Sequence, residues 1–265
     1  MKILAIANQK GGPGKTTISL HLAYFLLERQ KKVVFVDLDP SGDATSTLLQ
    51  GDIILKGGEI PLSDVQLLES VSLFKGEAPA LNTDYQFTLF QGTKPLIDIG
   101  NESIQFFADN INFVNESFDD DVYCIIDGGP TAGVLQFATL VVSQYLAVPI
   151  ELDKYSLNAT TSVSVTLENI REYNPDLEFL GVIPNRVYHV SPAQKALLQQ
   201  LQTEFADTLL GESLYISQRQ AVRDALDNNQ PVWSLKKESA RLVGKEILAI
   251  ANTIFAKMGL EEAQP

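Results

Sequence analysis

The sequence predicts an α/β fold, a single doubly wound domain whose mainly parallel sheet is flanked by helices. Three observations carry that expectation. Short continuous apolar runs, such as Val33-Val34-Phe35-Val36, suit strands buried on both faces. These runs alternate with helix-length patterns along the whole 265 residues. A glycine-rich turn joins the first strand to the first helix, where such folds hold their ligands.

The first apolar run, 3–7, leads into Asn8-Gln9-Lys10-Gly11-Gly12-Pro13-Gly14-Lys15-Thr16-Thr17, and a helical stripe follows from Ile18 to about Arg29. Strand, glycine turn, Gly-Lys-Thr and helix make the context of a phosphate-binding loop. Glycines let backbone N–H groups close around phosphate oxygens, and the helix N-terminus adds the positive end of its dipole. Lys15 is placed to reach the β- and γ-phosphates, and the Thr16 hydroxyl to ligate Mg²⁺.

The second strand, 33–36, completes a βαβ unit and ends in Asp37-Leu38-Asp39-Pro40-Ser41-Gly42-Asp43-Ala44-Thr45. Two carboxylates at the carboxyl end of a strand beside that loop suit metal or water chemistry. Asp-Pro and Ser-Gly-Asp are also ordinary turn sequences. Residues 61–74 have helical spacing, 76–84 read as a loop, 86–90 as a strand and 102–118 as a helix. Residues 121–127 form a buried strand ending in Asp127, an acid that can hold Mg²⁺ through water. Gly128-Gly129-Pro130 comes next, a segment whose backbone is free to switch.

The run 140–150 predicts a core strand, 156–171 a helix, and 180–184 a strand with Asn185 at its end. An Asn amide can pair with both the donor and the acceptor of an adenine edge. Residues 192–206 read as a helix, 214–216 as a short final strand, and 218–226 and 239–258 as closing helices. No repeat and no linker divides the chain, so one domain is expected over 1–265.

A net charge of −13 argues against a strongly basic nucleic-acid binder. The charge is uneven, however. Residues 51–130 carry −11, whereas 212–257 hold 7 basic against 5 acidic residues. Arg219, Arg223, Lys236, Lys237 and Arg241 cluster in the latter stretch and are the candidate contacts to DNA phosphates, a salt-sensitive mode. The single Cys124 cannot form an internal disulfide, which suits a reducing cytoplasm. No apolar stretch reaches transmembrane length, and the opening strand leaves no room for a signal peptide.

Three stretches together carry a family resemblance. Lys10-Gly11-Gly12-Pro13-Gly14-Lys15-Thr16 resembles the deviant Walker A loop of the ParA/MinD ATPases. Residues 37–45 resemble that family's Asp-x-Asp-Pro-Gln-Gly-Asn-x-Thr motif, with Ser41 and Asp43 replacing the Gln and Asn. Residues 121–130 match its later strand-end acid and proline. The resemblance implies ATP and Mg²⁺ as cofactors, with Gly11, Gly12, Pro13, Gly14, Lys15, Thr16 and Thr17 around the phosphates and Asn185 on the base. It implies that Asp39 orients the attacking water and that Asp37 supports the metal shell held by Thr16 and Asp127. Lys10 would cross a dimer interface to the partner subunit's nucleotide.

The resemblance also implies a small Soj-like form, without the N-terminal helix-turn-helix extension of larger relatives. Such a protein is an ATP-dependent homodimer that binds DNA without sequence preference. A ParB-like adaptor stimulates hydrolysis, and the cycle positions a plasmid, chromosome region or protein organelle in the cytoplasm, on the nucleoid. The alternative is a MinD-like switch on a membrane or another protein surface. The acidic 261–262 disfavours a membrane anchor. A dethiobiotin-synthetase-like ligase lacks a reason for Lys10 and Asp-x-Asp-Pro, and a nitrogenase-iron-protein-like reductase needs a cluster cysteine where Cys124 does not lie.

Overall fold

The computed structural model describes residues 1–8, 12–129, 133–153 and 156–260, without the side chains of 156–162. Seven parallel strands form the main sheet. Along the chain they are β1 (Lys2–Ile6), β2 (Lys32–Asp37), β5 (Val65–Glu69), β6 (Phe87–Gln91), β7 (Val122–Asp127), β8 (Tyr145–Glu151) and β9 (Glu178–Asn185). Their order in space is β5-β6-β2-β7-β1-β8-β9. Between β2 and β5 lies a separate antiparallel hairpin, β3 (Ile53–Leu55) with β4 (Gly58–Ile60). The helices are α1 (Lys15–Leu27), α2 (Asp43–Leu48), α3 (Ile104–Ser117), α4 (Val134–Val142), α5 (Ser156–Ile170), α6 (Pro192–Glu204), α7 (Gln220–Leu226) and α8 (Glu238–Lys257).

The apolar runs are continuous because both faces of the sheet are covered. Alternate residues of a strand point to opposite faces. Thus Val33 and Phe35 join a core with α1 and α8, while Val34 and Val36 join another with α3 and α4. On the first side the rings of Phe25 and Phe255 stack at 5.4 Å and tie α1 to α8. Cys124 sits midway along β7 in the second core, fully buried.

The register decides where the chemistry sits. In β1, β2 and β7, Ile6 pairs with Asp127 and Asp37 pairs with Asp127, so both acids reach the same carboxyl edge. The chain leaves β1 toward β2 on one side, while β8 and β9 extend the other. That reversal of strand order opens a crevice above β1, where α/β sheets bind ligands.

Three sequence expectations need correction. Residues 61–74 are not a helix: a 3₁₀ turn at Leu62–Asp64 leads into the edge strand β5, and another at Ser70–Phe74 comes after it. Five residues of Val-Gln-Leu-Leu-Glu fit either period, and pairing with β6 decides for strand. The run 140–150 is split, with α4 continuing to Val142 and β8 starting at Tyr145. Asn174 Nδ2 donates to the carbonyls of Leu140 and Ser143 at 2.9 and 2.7 Å, capping the helix end inside an apolar stretch. Residues 214–216 form no strand. They run beside the end of β9, with one isolated bridge between Val187 and Ser217.

Candidate nucleotide site

Lys10 and Gly11 lie outside the described residues, as does Pro130. The loop from Gly12 onward is fixed closely. Gly12 and Gly14 have φ of +88° and +92°, and α1 begins at Lys15 with Gly14 as its N-cap. The helix N-terminus therefore faces the loop, as phosphate binding requires. Pro13 is buried, and its carbonyl accepts from Asn185 Nδ2 at 2.7 Å. Thr16 and Thr17 are half-buried on the first turn.

Lys15 is only 6% exposed. Burial pushes its ammonium below the usual lysine range, while the charges of Asp127 and Asp39 pull it back up. A desolvated cation between two carboxylates is poised to exchange them for phosphate oxygens.

Asp37 is fully buried and hydrogen-bonded on both oxygens. Oδ2 accepts from the Thr45 N–H at 2.9 Å and from the Thr45 hydroxyl at 2.7 Å, and Oδ1 accepts from the Asp39 N–H at 3.0 Å. Burial raises its pKa, against the pull of those bonds. Thr45 Oγ1 in turn accepts from the Gly92 N–H at 2.8 Å, so the end of β6 joins the same knot. Asp39 is half-exposed, and its Oδ1 accepts from the Ser41 N–H and hydroxyl at 2.9 and 2.7 Å. Ser41, which departs from the family motif, thus holds Asp39 directly.

Asp127 differs from Asp37 in one respect. Its Oδ1 accepts from the Ser19 hydroxyl at 3.1 Å, but its buried Oδ2 has no hydrogen-bond partner among the described residues. Burial and the neighbouring Asp37 charge push its carboxyl well above the usual range, while Thr16, Lys15 and Ser19 pull it down. A buried carboxylate oxygen without a donor, beside a hydroxyl and a second acid, is a hard oxygen set that a cation would satisfy. The donors present fit Mg²⁺, which keeps waters and takes few protein ligands.

Beside the loop opens a cleft of about 700 Å³, lined by Thr16, Thr17, Asp43, Asn185, Arg219 and Arg223 among others. The five basic residues expected to meet DNA are therefore not one set. Arg219 and Arg223 line this cleft, Lys237 pairs with Asp224 at 2.7 Å, and Lys236 and Arg241 are exposed. Asn185 borders the cleft with its amide already committed to the loop.

Sequence reasoning misses Ser19, Thr45 and Gly92 as functional residues. Ser19 sits four residues after Lys15, one helical turn along the same face, and that spacing is the available signal. Thr45 is visible as the last residue of its motif, without a role. Gly92 has no local signal, since its contacts come from Thr45 of α2 and from Asp37 and Asp39, far away in sequence.

A protein-family model described as an AAA domain matches residues 1–179. The IncC protein of Escherichia coli is 32% identical over 271 residues, covering 99% of this chain and 71% of that one. The chromosome-partitioning ATPase Soj of Thermus thermophilus is 31% identical over 183 residues, 68% of this chain and 67% of its own. Among solved structures, an ATP complex of a Cyanothece McdA variant superposes with a TM-score of 0.76 at 21% identity, covering 100% and 99% of the two chains.

Proposed function

The chain belongs to the ParA/Soj-like partition ATPases, and from that premise we propose that it hydrolyses ATP with Mg²⁺ to position a cargo on DNA. The reading takes residues 1–265 as one ATPase domain. The observation that carries it is the buried Asp127 oxygen without a partner among the described residues, in register with Asp37 and beside Lys15 at the start of α1.

Each residue has a task on this reading. Backbone N–H groups of the loop cradle the phosphates, and Lys15 neutralises charge on the transferring phosphoryl group. Thr16 and Asp127 would hold Mg²⁺, with Asp37, fixed by Thr45, as the supporting acid beside them. The metal supplies Lewis-acid stabilisation of the phosphate oxygens. Asp39, held by Ser41, accepts a hydrogen bond from the attacking water and orients it. Asn185 shapes the loop through Pro13 and borders the cleft in which the base would lie. Lys10, outside the described residues, takes its role from the family resemblance alone: it would meet the γ-phosphate of the second subunit, so that ATP would also join the homodimer.

The wider assignment includes non-specific DNA binding, a stimulating ParB-like adaptor and a place in the cytoplasm on the nucleoid. Lys236 and Arg241, exposed just before α8 and in its first turn, are the phosphate contacts the geometry favours. The apolar face of α8 does not favour a membrane anchor, because Ile247, Ile250, Ile254 and Phe255 are buried in the core. No helix among the described residues is long and apolar enough to cross a membrane.

The test is ATP hydrolysis by the wild type and by Lys15→Ala, with duplex DNA binding measured under ATP, ADP and no nucleotide across a salt series. ATP-dependent binding that weakens steeply with salt supports the partition reading. Hydrolysis without DNA binding in any state would instead leave a MinD-like switch acting on another surface.

A further inference from the structure

One wall of the cleft beside the loop is the turn at 216–220, which includes Ser217, Gln218 and Arg219. The turn belongs to no helix or strand up to Gln220. It hangs on the end of β9 through Ile216 N–H to the Pro184 carbonyl and Gln218 N–H to the Val187 carbonyl, both at 2.9 Å. Its orientation is set at Ser217. The Ser217 N–H donates to Glu246 Oε2 at 2.7 Å, and the Ser217 hydroxyl donates to Glu246 Oε1 at 2.7 Å. Glu246 lies in the middle of α8, nearly thirty residues further along the chain.

His189 Nε2 lies 3.1 Å from the same hydroxyl oxygen. Since the hydroxyl proton is directed at Glu246, His189 is the donor there. That polarity excludes a nucleophilic triad, in which the serine must donate to the histidine. Ser217 is also only 4% exposed. The three side chains form a clamp instead, and the His189 ring packs edge-on against Tyr215 at 4.9 Å.

Beyond the clamp, the exposed Gln218, Arg219 and Gln220 share the cleft with Thr16, Thr17 and Asn185. On the ATP reading, we infer that Glu246 is a positioning residue for the nucleotide: it grips Ser217 at both N–H and O–H so that the 216–220 turn stands as the wall against base and ribose. Glu246 is not among the residues that line the cleft and acts through Ser217. Two charge-assisted bonds from one carboxylate fix a residue's pitch in a way that a single bond cannot.

The experiment titrates the full chain with fluorescent ATP and GTP analogues, alongside steady-state hydrolysis and thermal melting. Glu246→Gln keeps the shape but turns an amide NH₂ toward one of the two Ser217 donors. The expected result is ATP affinity roughly tenfold weaker, an ATP-to-GTP affinity ratio changed by about threefold, and kcat at saturating ATP within about twofold of wild type. Ser217→Ala, which keeps the backbone bond, shows a smaller shift in the same direction. A purely architectural role would lower the melting temperature and leave the ATP-to-GTP ratio unchanged. That result, or wild-type affinity in Glu246→Gln, overturns the inference. Failure of the wild type to bind either nucleotide, or undiminished binding by Lys15→Ala, overturns the ATP reading itself and is a separate outcome.

Discussion

Gly14 and Asn185 are in direct contact: a β-carbon on Gly14 would lie 2.1 Å from Asn185 Nδ2, the nitrogen that donates to the Pro13 carbonyl. The phosphate loop is thus shaped from β9, two strands over from its own strand β1. Gly14→Ala meets two obstacles, that contact and a φ of +92°. The backbone part alone costs about 1–2 kcal/mol. Gly14→Ala should therefore lose more than that in denaturant unfolding, and combining it with Asn185→Ala should restore only the steric part. A double-mutant cycle checks the coupling.

Thr45 is the second hinge of the site. Its hydroxyl donates to Asp37 and accepts from the Gly92 N–H, so Thr45→Val strands a buried donor as well as weakening the Asp37 cage. The expected loss is about 1–3 kcal/mol of stability, with a fall in hydrolysis rate. Thr45→Ser keeps both bonds and should stay near wild type in both. Equal behaviour of the Val and Ser variants would contradict the role given to the hydroxyl.

Asp127 should separate stability from activity. In the nucleotide-free protein its carboxyl group is buried, faces Asp37 in the neighbouring strand and, among the described residues, leaves Oδ2 without a donor. Asp127→Asn removes the cost of protonating a buried acid on folding, so the free protein should gain about 1 kcal/mol or more. Mg²⁺-dependent hydrolysis should fall by about a hundredfold or more in the same variant. Thermal melting and phosphate release measure the two effects on one sample.

His21 gives the fold an acid limit. It is fully buried in α1, its Nδ1–H donating to the Thr17 carbonyl at 2.7 Å and its Nε2 accepting from the Val232 N–H at 3.2 Å. Burial lowers its pKa from 6.5 to about 4. The unfolded chain therefore binds the proton more readily than the folded one. Stability is complete above pH 6.5 and declines as pH falls toward 4, by about 3 kcal/mol in all. Denaturant unfolding between pH 7 and 4 should show the slope, and His21→Gln, which keeps a donor and an acceptor but does not titrate, should flatten it.

The features legible in the sequence are those written locally. The apolar run before Gly12 and the Gly-Lys-Thr after it identify a strand, a loop and a helix together, and the strand-end acids Asp37 and Asp127 emerge from apolar runs that stop in a carboxylate. Periodicity fails where the run is short or shared. The residues 65–69 fit both periods until β6 pairs with them, and the helix end at Val142 is hidden because Asn174, far along the chain, supplies its cap. The contacts that tune the site are illegible for the same reason. Gly92 on Thr45, Asn185 on Pro13 and Glu246 on Ser217 each join segments that only the folded sheet brings together.

The lone thiol at the middle of β7 has a practical consequence. Cys124 is fully buried, and burial pushes its pKa up to about 12, so the folded chain presents neither access nor thiolate to an alkylating reagent. Its labelling rate then reports how often the central strands part, on a chain that carries no other cysteine to confuse the signal. Asp127 ends the same strand, three residues on. A ligand that satisfies that acid should slow alkylation by mass action, which makes the native cysteine a clock for occupancy of the site without any added probe.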